Sequence, residues 1–291
     1  MKVRIAVGLG AAAVDADTFT AVVSALGPLG FDSLWISDVL TGPGPDPLVA
    51  LAVAAQLDPS LKLGTTLLLP GRNQLRLAKA LASLDALTRG RLLLTFVPGL
   101  GHGPKRDAIG VPPRERSAVI EHALPRLRRW WAGEPVDGIT LGVRPVQDPL
   151  EMWLGGLAVP SLHRCGRLAD GWLGSFCSPA QAAAAKTTID DAAAAADRRV
   201  DPEHFGVSIG YAHQQPDDRQ LAVIAARNRT ADLRVLVPVG YAAVRDLLEE
   251  FIAVGMSKFV LRPPPLGPPN DPAAWHDELA GLADAVAGLQ T

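Results

Sequence analysis

The chain has 291 residues, 48% of them hydrophobic and 20% charged, which is enough to bury a substantial core and too apolar for disorder. A formal net charge of −2 and a pI near 6.3 give no electrostatic case for nucleic acid or an anionic membrane as a partner, and fit a small-molecule role better. The two cysteines, Cys165 and Cys177, lie in apolar periodic segments and read as buried thiols of a reducing compartment; no metal cluster follows from them. The opening run MKVRIAVGLG is too short for a spanning helix or a secretory signal, so the expected location is the cytoplasm.

In chain order, residues 3–9 form a β-branched run ending in glycine, and residues 18–29 follow with helical spacing at Phe19, Val22, Val23, Leu26 and Leu29. A second strand over 31–37 stops at Asp38 and leads through a Gly/Pro loop to a helix over 47–57. A third strand (61–69) precedes a helix over 74–87 with Leu77, Leu81, Leu84 and Leu87 on one face, broken by Arg89, Gly90 and Arg91. Strand four covers 92–97, a loop runs over 98–113, and a helix over 114–131 ends near Gly133. A small hairpin is expected around residues 140–144.

The stretch 149–175, PLEMWLGGLAVPSLHRCGRLADGWLGS, supplies strands five and six. Met152, Trp153 and Leu154 stop at Gly155 and Gly156, and a helix follows with Pro160 in its first turn and an apolar stripe of Val159, Leu162, Cys165 and Leu168. A glycine turn feeding a helix N-terminus suits a phosphate, although a tight loop explains a lone Gly-Gly equally. An alanine-rich helix (178–199), a seventh strand (204–213), a helical or irregular piece (217–232), an apolar run (234–238), a helix (241–254), an eighth strand (258–262) and a closing helix (273–289) complete the chain.

Eight strands alternating with helices predict a (β/α)₈ barrel, one domain over 1–291 with a small insertion before strand five; an open doubly wound sheet is the alternative. Residues at the carboxyl ends of barrel strands line the active face. That rule selects Asp38, Thr66 to Arg72, Val97 to His102, Gly155, Gly156, Ser175, His213, Gly240 and Arg262. Asp38 reads either as a site acid or as a turn-capping acid, His102 and His213 either as proton-transfer groups or as solvated loop histidines, and Trp130, Trp131, Trp153 and Trp172 as packing residues.

Five segments in order resemble the luciferase-like flavin and deazaflavin oxidoreductases: LGFDSLWISD (29–38), LKLGTTLLLP with LAKALASLDALTRGRLLL (61–94), ERSAVIEHALPRLRRWWAGEPVDG, MWLGG with RCGRLADGW, and VGYAAVRDLLEEFIAVGMSKFVLRP. The resemblance implies a (β/α)₈ barrel that moves a hydride between coenzyme F420 and a small organic substrate. The alternatives are an FMN-dependent monooxygenase and a barrel that binds ligand without turnover. By position it puts Asp38 beside the polar edge of the ring, a strained non-proline cis peptide around Thr66, Leu67 and Leu68, and the backbone of Gly155, Gly156, Leu157 and Ala158 with the Ser175 hydroxyl at the cofactor phosphate. Gly99 lies near the ring, Arg72 or Arg262 supplies positive charge, His102 is the candidate proton carrier beside Asp38, and a homodimer through outer helices is expected.

The chain also departs from the family pattern. Strand four reads LTFVPGLG, with Thr95, Val97 and Pro98 where glycines or small residues are common, so reduced space for the ring is expected. Val39 follows Asp38 where the family often has histidine, Leu100 replaces an acid, and Ser178 stands where some members have lysine.

Overall fold

The computed structural model describes residues 1–9, 14–99, 105–226, 228, 236–264 and 271–291. Eight parallel strands, β1 (Arg4–Gly8), β2 (Ser33–Ser37), β3 (Lys62–Leu68), β4 (Leu92–Val97), β5 (Met152–Gly155), β6 (Gly171–Ser175), β7 (Phe205–Gly210) and β8 (Lys258–Arg262), close in sequence order into a barrel. Around it lie α1 (Ala16–Leu26), α2 (Pro47–Leu57), α3 (Gln74–Leu87), α4 (Lys105–Ala108), α5 (Arg116–Trp131), α6 (Val159–Leu168), α7 (Pro179–Ala194), α8 (Asp218–Ala225), α9 (Tyr241–Ala253) and α10 (Pro272–Ala285). The (β/α)₈ barrel expected from the alternation is the observed fold, and the doubly wound alternative is excluded by the β1–β8 pairing of Arg4 to Val7 with Lys258 to Leu261.

Strand alternation sorts the side chains into two cores. Ile5, Val7, Leu34, Ile36, Leu63, Leu67, Leu94, Phe96, Leu154, Val207 and Phe259 face the helices, while Ala6, Trp35, Leu173 and Val260, with Leu93 and Trp153 against them, fill the barrel. Helix starts follow local chemistry: the side chains of Asp15, Asp46, Asn73, Ser178, Asp217 and Asp271 accept first-turn N–H groups. The TRGR segment is an anchor between α3 and β4. Arg89 and Gly90 turn the chain at positive φ, and the Arg91 guanidinium donates to the carbonyls of Thr88, Asp58, Leu61 and Ala55.

Three expectations change. The hairpin centres on Asp137 and Gly138, both at positive φ, with Val136 bridged to Ile139; an Asp-Gly pair adopts the left-handed turn that two strands require, and residues 140–144 form no bridge. Val159 is 57% exposed, so the buried face of α6 is Leu162, Arg164, Cys165 and Gly166, where an added Cβ on Gly166 would meet Ile189 O at 2.4 Å. Thr66, Leu67 and Leu68 are joined by trans peptides, because each pairs in regular register with Thr95, Phe96 and Val97; the one cis bond among the described residues is Asp148–Pro149. No described helix is long and apolar enough to cross a membrane.

Candidate active site

Above Trp35, the last inward-facing position of each strand forms a rim: Gly8, Ser37, Leu68, Val97, Gly155, Ser175, Gly210 and Arg262, with Thr66 one inward step below Leu68. Most are small, so the barrel opens at its carboxyl end over the Trp35 indole; the Trp153 indole turns toward the amino end, where its Nε1–H donates to Glu151 Oε2 at 3.3 Å and its ring lies 5.5 Å from His204. The Trp35 floor is fixed from both sides. The Trp35 ring fills the space of the missing Cβ of Gly64 on β3, and its Nε1–H donates to Thr66 Oγ1 at 3.0 Å. Arg262 crosses the rim from β8, its Cγ 3.1 Å from where a Cβ on Gly8 would sit and its guanidinium 3.6 Å from the corresponding point on Gly210, to lie 5.0 Å over the Phe176 ring.

On strand four, the Val97 side chain packs against Gly155 of the next strand. A Cβ on Gly155 would lie 2.8 Å from Val97 Cγ1, so Val97 occupies room that Gly155 vacates. Gly155 thereby accommodates its neighbour, and the Gly156 turn remains exposed for a ligand. Gly156 has φ +119°, and its carbonyl accepts from Trp172 Nε1 at 2.9 Å. Because C=O and N–H point opposite ways in a trans peptide, the Leu157 N–H is turned away from Trp172. Helix α6 then begins at Val159 after Ala158, with no capping side chain, in contrast to the six helices above; Pro160 has no N–H and the Ser161 N–H donates to Ala158 O at 2.7 Å, so the Val159 N–H and the partial positive charge of the helix start remain at the turn.

The remaining candidates separate. The Asp38 side chain is 5% exposed; its Oδ2 accepts from Arg72 at 2.6 Å and from the Leu68 N–H at 3.1 Å, while its own N–H donates to Thr66 O. It therefore clamps the β2 loop onto the β3 loop. Leu67 points into the outer core, so only its backbone belongs to the rim. Gly99, at φ +75°, backs against Leu68 and Ile109. Ser175 stands at the rim beside Gly155 on β5, and the Leu157 side chain packs against the outer core, leaving its amide and the exposed Ala158 at the turn. His102 lies outside the described residues.

A buried cluster missed by motif reading stands behind β7. Glu278 on α10 accepts from the Tyr211 hydroxyl through one oxygen and contacts His213 Nε2 at 2.7 Å through the other, and its backbone carbonyl accepts from Tyr241. Burial raises the Tyr211 hydroxyl pKa far above its ordinary value, and the Glu278 carboxylate adds to this; for the same reasons Tyr241 is pushed up to about 12. These groups tie the segment that follows the rim residue Gly210 to α9 and α10 on the helix side of the barrel. Burial likewise pushes both Cys165 and Cys177 up to about 12, which makes them inert thiols as expected. No group of metal-ligating side chains occurs among the described residues.

Solved structures with this architecture have low sequence identity to the chain. Monooxygenase RslO1 from Streptomyces bottropensis superposes with TM-score 0.78 at 20% identity, covering 97% of this chain and 98% of that one. The coenzyme F420 dependent tetrahydromethanopterin reductase from Methanopyrus kandleri gives 0.75 at 17%, covering all of both chains. The FMN-bound oxygenating constituent of 3,6-diketocamphane monooxygenase from Pseudomonas putida gives 0.73 at 16%, covering 100% of this chain and 99% of that one. The profile of the luciferase-like monooxygenase family matches residues 1–250, most of the barrel that the rim and its glycine turn complete. The chain belongs to the luciferase-like monooxygenase family, a family of oxidoreductases.

Proposed function

We propose that this protein is a coenzyme F420-dependent oxidoreductase that transfers a hydride between the deazaflavin and a small organic substrate. The observation that carries this reading is the combination of a small-residue rim over a tryptophan floor with an exposed glycine turn at the uncapped start of α6. A flat ring fits the first feature and a phosphate the second. The Leu157 amide, the α6 N-terminus and the Ser175 hydroxyl would hold the phosphate; Thr66, Val97 and the indole of Trp35 would support the ring, and Arg262 would offset negative charge. When bound, such a cofactor supplies the two-electron chemistry, and the chain contributes orientation and exclusion of water. Asp38 fixes Arg72 and the backbone of Leu68, and so holds the β3 end of the rim in place.

An FMN-dependent monooxygenase using reduced flavin and oxygen is the second reading. It is supported by the FMN-bound neighbour, whose similarity matches that of the F420-dependent one. Titration separates the two. A ring seated at the rim lies above Trp35, so micromolar F420 is expected to quench tryptophan emission while FMN does not; the reverse result selects the monooxygenase, and quenching by neither makes the barrel non-catalytic. Gly156→Ala, forced into a conformation natural only to glycine, should weaken binding about tenfold.

The protein also acts, in this proposal, as a homodimer through α2. That helix carries no charged residue, and its outer face exposes Val49 (64%) and Val53 (49%) beside Ala52. Sedimentation should give a dimer at micromolar concentration and a monomer for the Val49→Lys, Val53→Lys variant; a wild-type monomer overturns it.

A further inference from the structure

We propose that Thr95 is a ligand-binding residue of the barrel mouth, whose buried hydroxyl hydrogen-bonds an in-plane polar atom of the ring seated there. This rests on the cofactor reading above. Thr95 lies on β4 between Leu93 and Val97, and the alternation that turns Leu92, Leu94 and Phe96 toward the helices turns Thr95 into the barrel. It is 1% exposed, and its Oγ1 has no hydrogen-bond partner among the described residues.

A buried hydroxyl left unpaired is costly, whereas valine has nearly the same shape, favours strands and carries no polar atom. Threonine at this position therefore sacrifices stability that a one-atom change would recover. Thr65 also has an unpaired buried hydroxyl, but it faces the helices.

The surroundings give the hydroxyl a direction. A Cβ placed on Gly155 would lie 3.8 Å from Thr95 Cγ2, so the methyl is turned toward β5 and the hydroxyl occupies another branch. On the β3 side the in-register neighbour is Thr66, whose Oγ1 already accepts from Trp35 Nε1, so its own proton is directed away from the indole. Two neighbouring hydroxyls thus border the floor on the side of Trp35 and below Val97. They present donor and acceptor capacity suited to a heteroaromatic ring carrying carbonyl and N–H groups in its plane, and unsuited to a purely hydrocarbon guest. Thr95 is this chain's own feature, since a glycine or small residue is the common occupant of this stretch by family resemblance.

The test compares Thr95→Val and Thr95→Ser with wild type in two measurements: thermal midpoint of the unliganded protein, and affinity for F420 and FMN by tryptophan quenching. Thr95→Val should raise the midpoint by about 2 °C and weaken binding of the cofactor that wild type binds about fivefold to tenfold. Thr95→Ser, which keeps the hydroxyl, should bind within about twofold of wild type. Unchanged or tighter binding by Thr95→Val overturns the assignment while leaving the cofactor reading intact. Absence of binding by wild type overturns both. A Thr95→Ser variant that binds as weakly as Thr95→Val assigns the effect to packing and overturns the hydroxyl's role.

Discussion

Lys258→Ala is expected to destabilise the barrel by about 3–5 kcal/mol, because it strands a carboxylate inside the closed end of the fold. The Lys258 side chain is 4% exposed at the amino end of β8; its Nζ contacts the Asp32 carboxylate and donates to Ser33 Oγ at 2.6 Å. Burial acts to raise the Asp32 pKa, but the charge and hydrogen bond of Lys258, with smaller contributions from Lys62 and Ser33, outweigh it and hold the group below its ordinary value. Removing the ammonium therefore leaves the desolvation cost of Asp32 opposed only by the weaker pull of Lys62 and the Ser33 hydrogen bond. Replacing both partners, as Asp32→Asn with Lys258→Met, should recover most of the loss, since neither group then carries charge. Urea unfolding checks this, and equal stability of Lys258→Ala and wild type would refute it.

The same pair sets a pH signature. Burial lowers the Lys258 pKa from the ordinary 10.5 to about 8, against the attraction of Asp32. Between these values the unfolded chain binds the extra proton and the native state does not, so this group's contribution to stability rises with pH from about 8 to 10.5. Relative to Lys258→Met, the wild type should gain stability over that interval. A flat difference in denaturant midpoint between pH 7 and pH 10 would show that the amine stays protonated.

Gly64→Ala is expected to cost about 3 kcal/mol and to abolish cofactor binding, because a Cβ there would sit 1.9 Å from Trp35 Cε3. The indole cannot retreat without cost: it is 3% exposed and wedged among Ala6, Leu173 and Val260. Any shift also breaks its bond to Thr66 Oγ1, the connection between the floor and β3 just below the rim. Gly142→Ala, with nothing within 4 Å of its added Cβ, is the matched control and should be nearly neutral. Urea unfolding and the cofactor titration read the two effects separately, and a Gly64→Ala protein with wild-type stability would mean that the floor has slack.

Much of the site's location was legible from residue order, because strand ends and glycine turns are local signals. Asp38, Gly155, Gly156, Ser175 and Arg262 all fall at the carboxyl ends of strands or in the loops that follow them, where alternation put them. What their side chains do was not legible. Asp38 looks like a free acid until Arg72 and the Leu68 amide, 34 and 30 residues away, are seen on its oxygen. Val97 stands out in β4 for its size, and only the fold shows that its side chain fills the space left by Gly155 on the next strand. Glu278 escaped notice altogether, because its partners Tyr211 and His213 are more than 60 residues distant.

The sequence by itself determined the barrel, since period-2 and period-3.6 runs of the right length alternate eight times and right-handed crossovers leave few ways to close them. It also determined the local stops, through Asp and Ser caps and through glycines such as Gly156 that alone tolerate their φ. The tertiary structure decided which polar groups face each other. Burial and pairing across the barrel depend on contacts between strands far apart in the chain, and so only the closed fold separates the clamp at Asp38, the buried pair of Asp32 and Lys258, and the unpaired hydroxyl of Thr95.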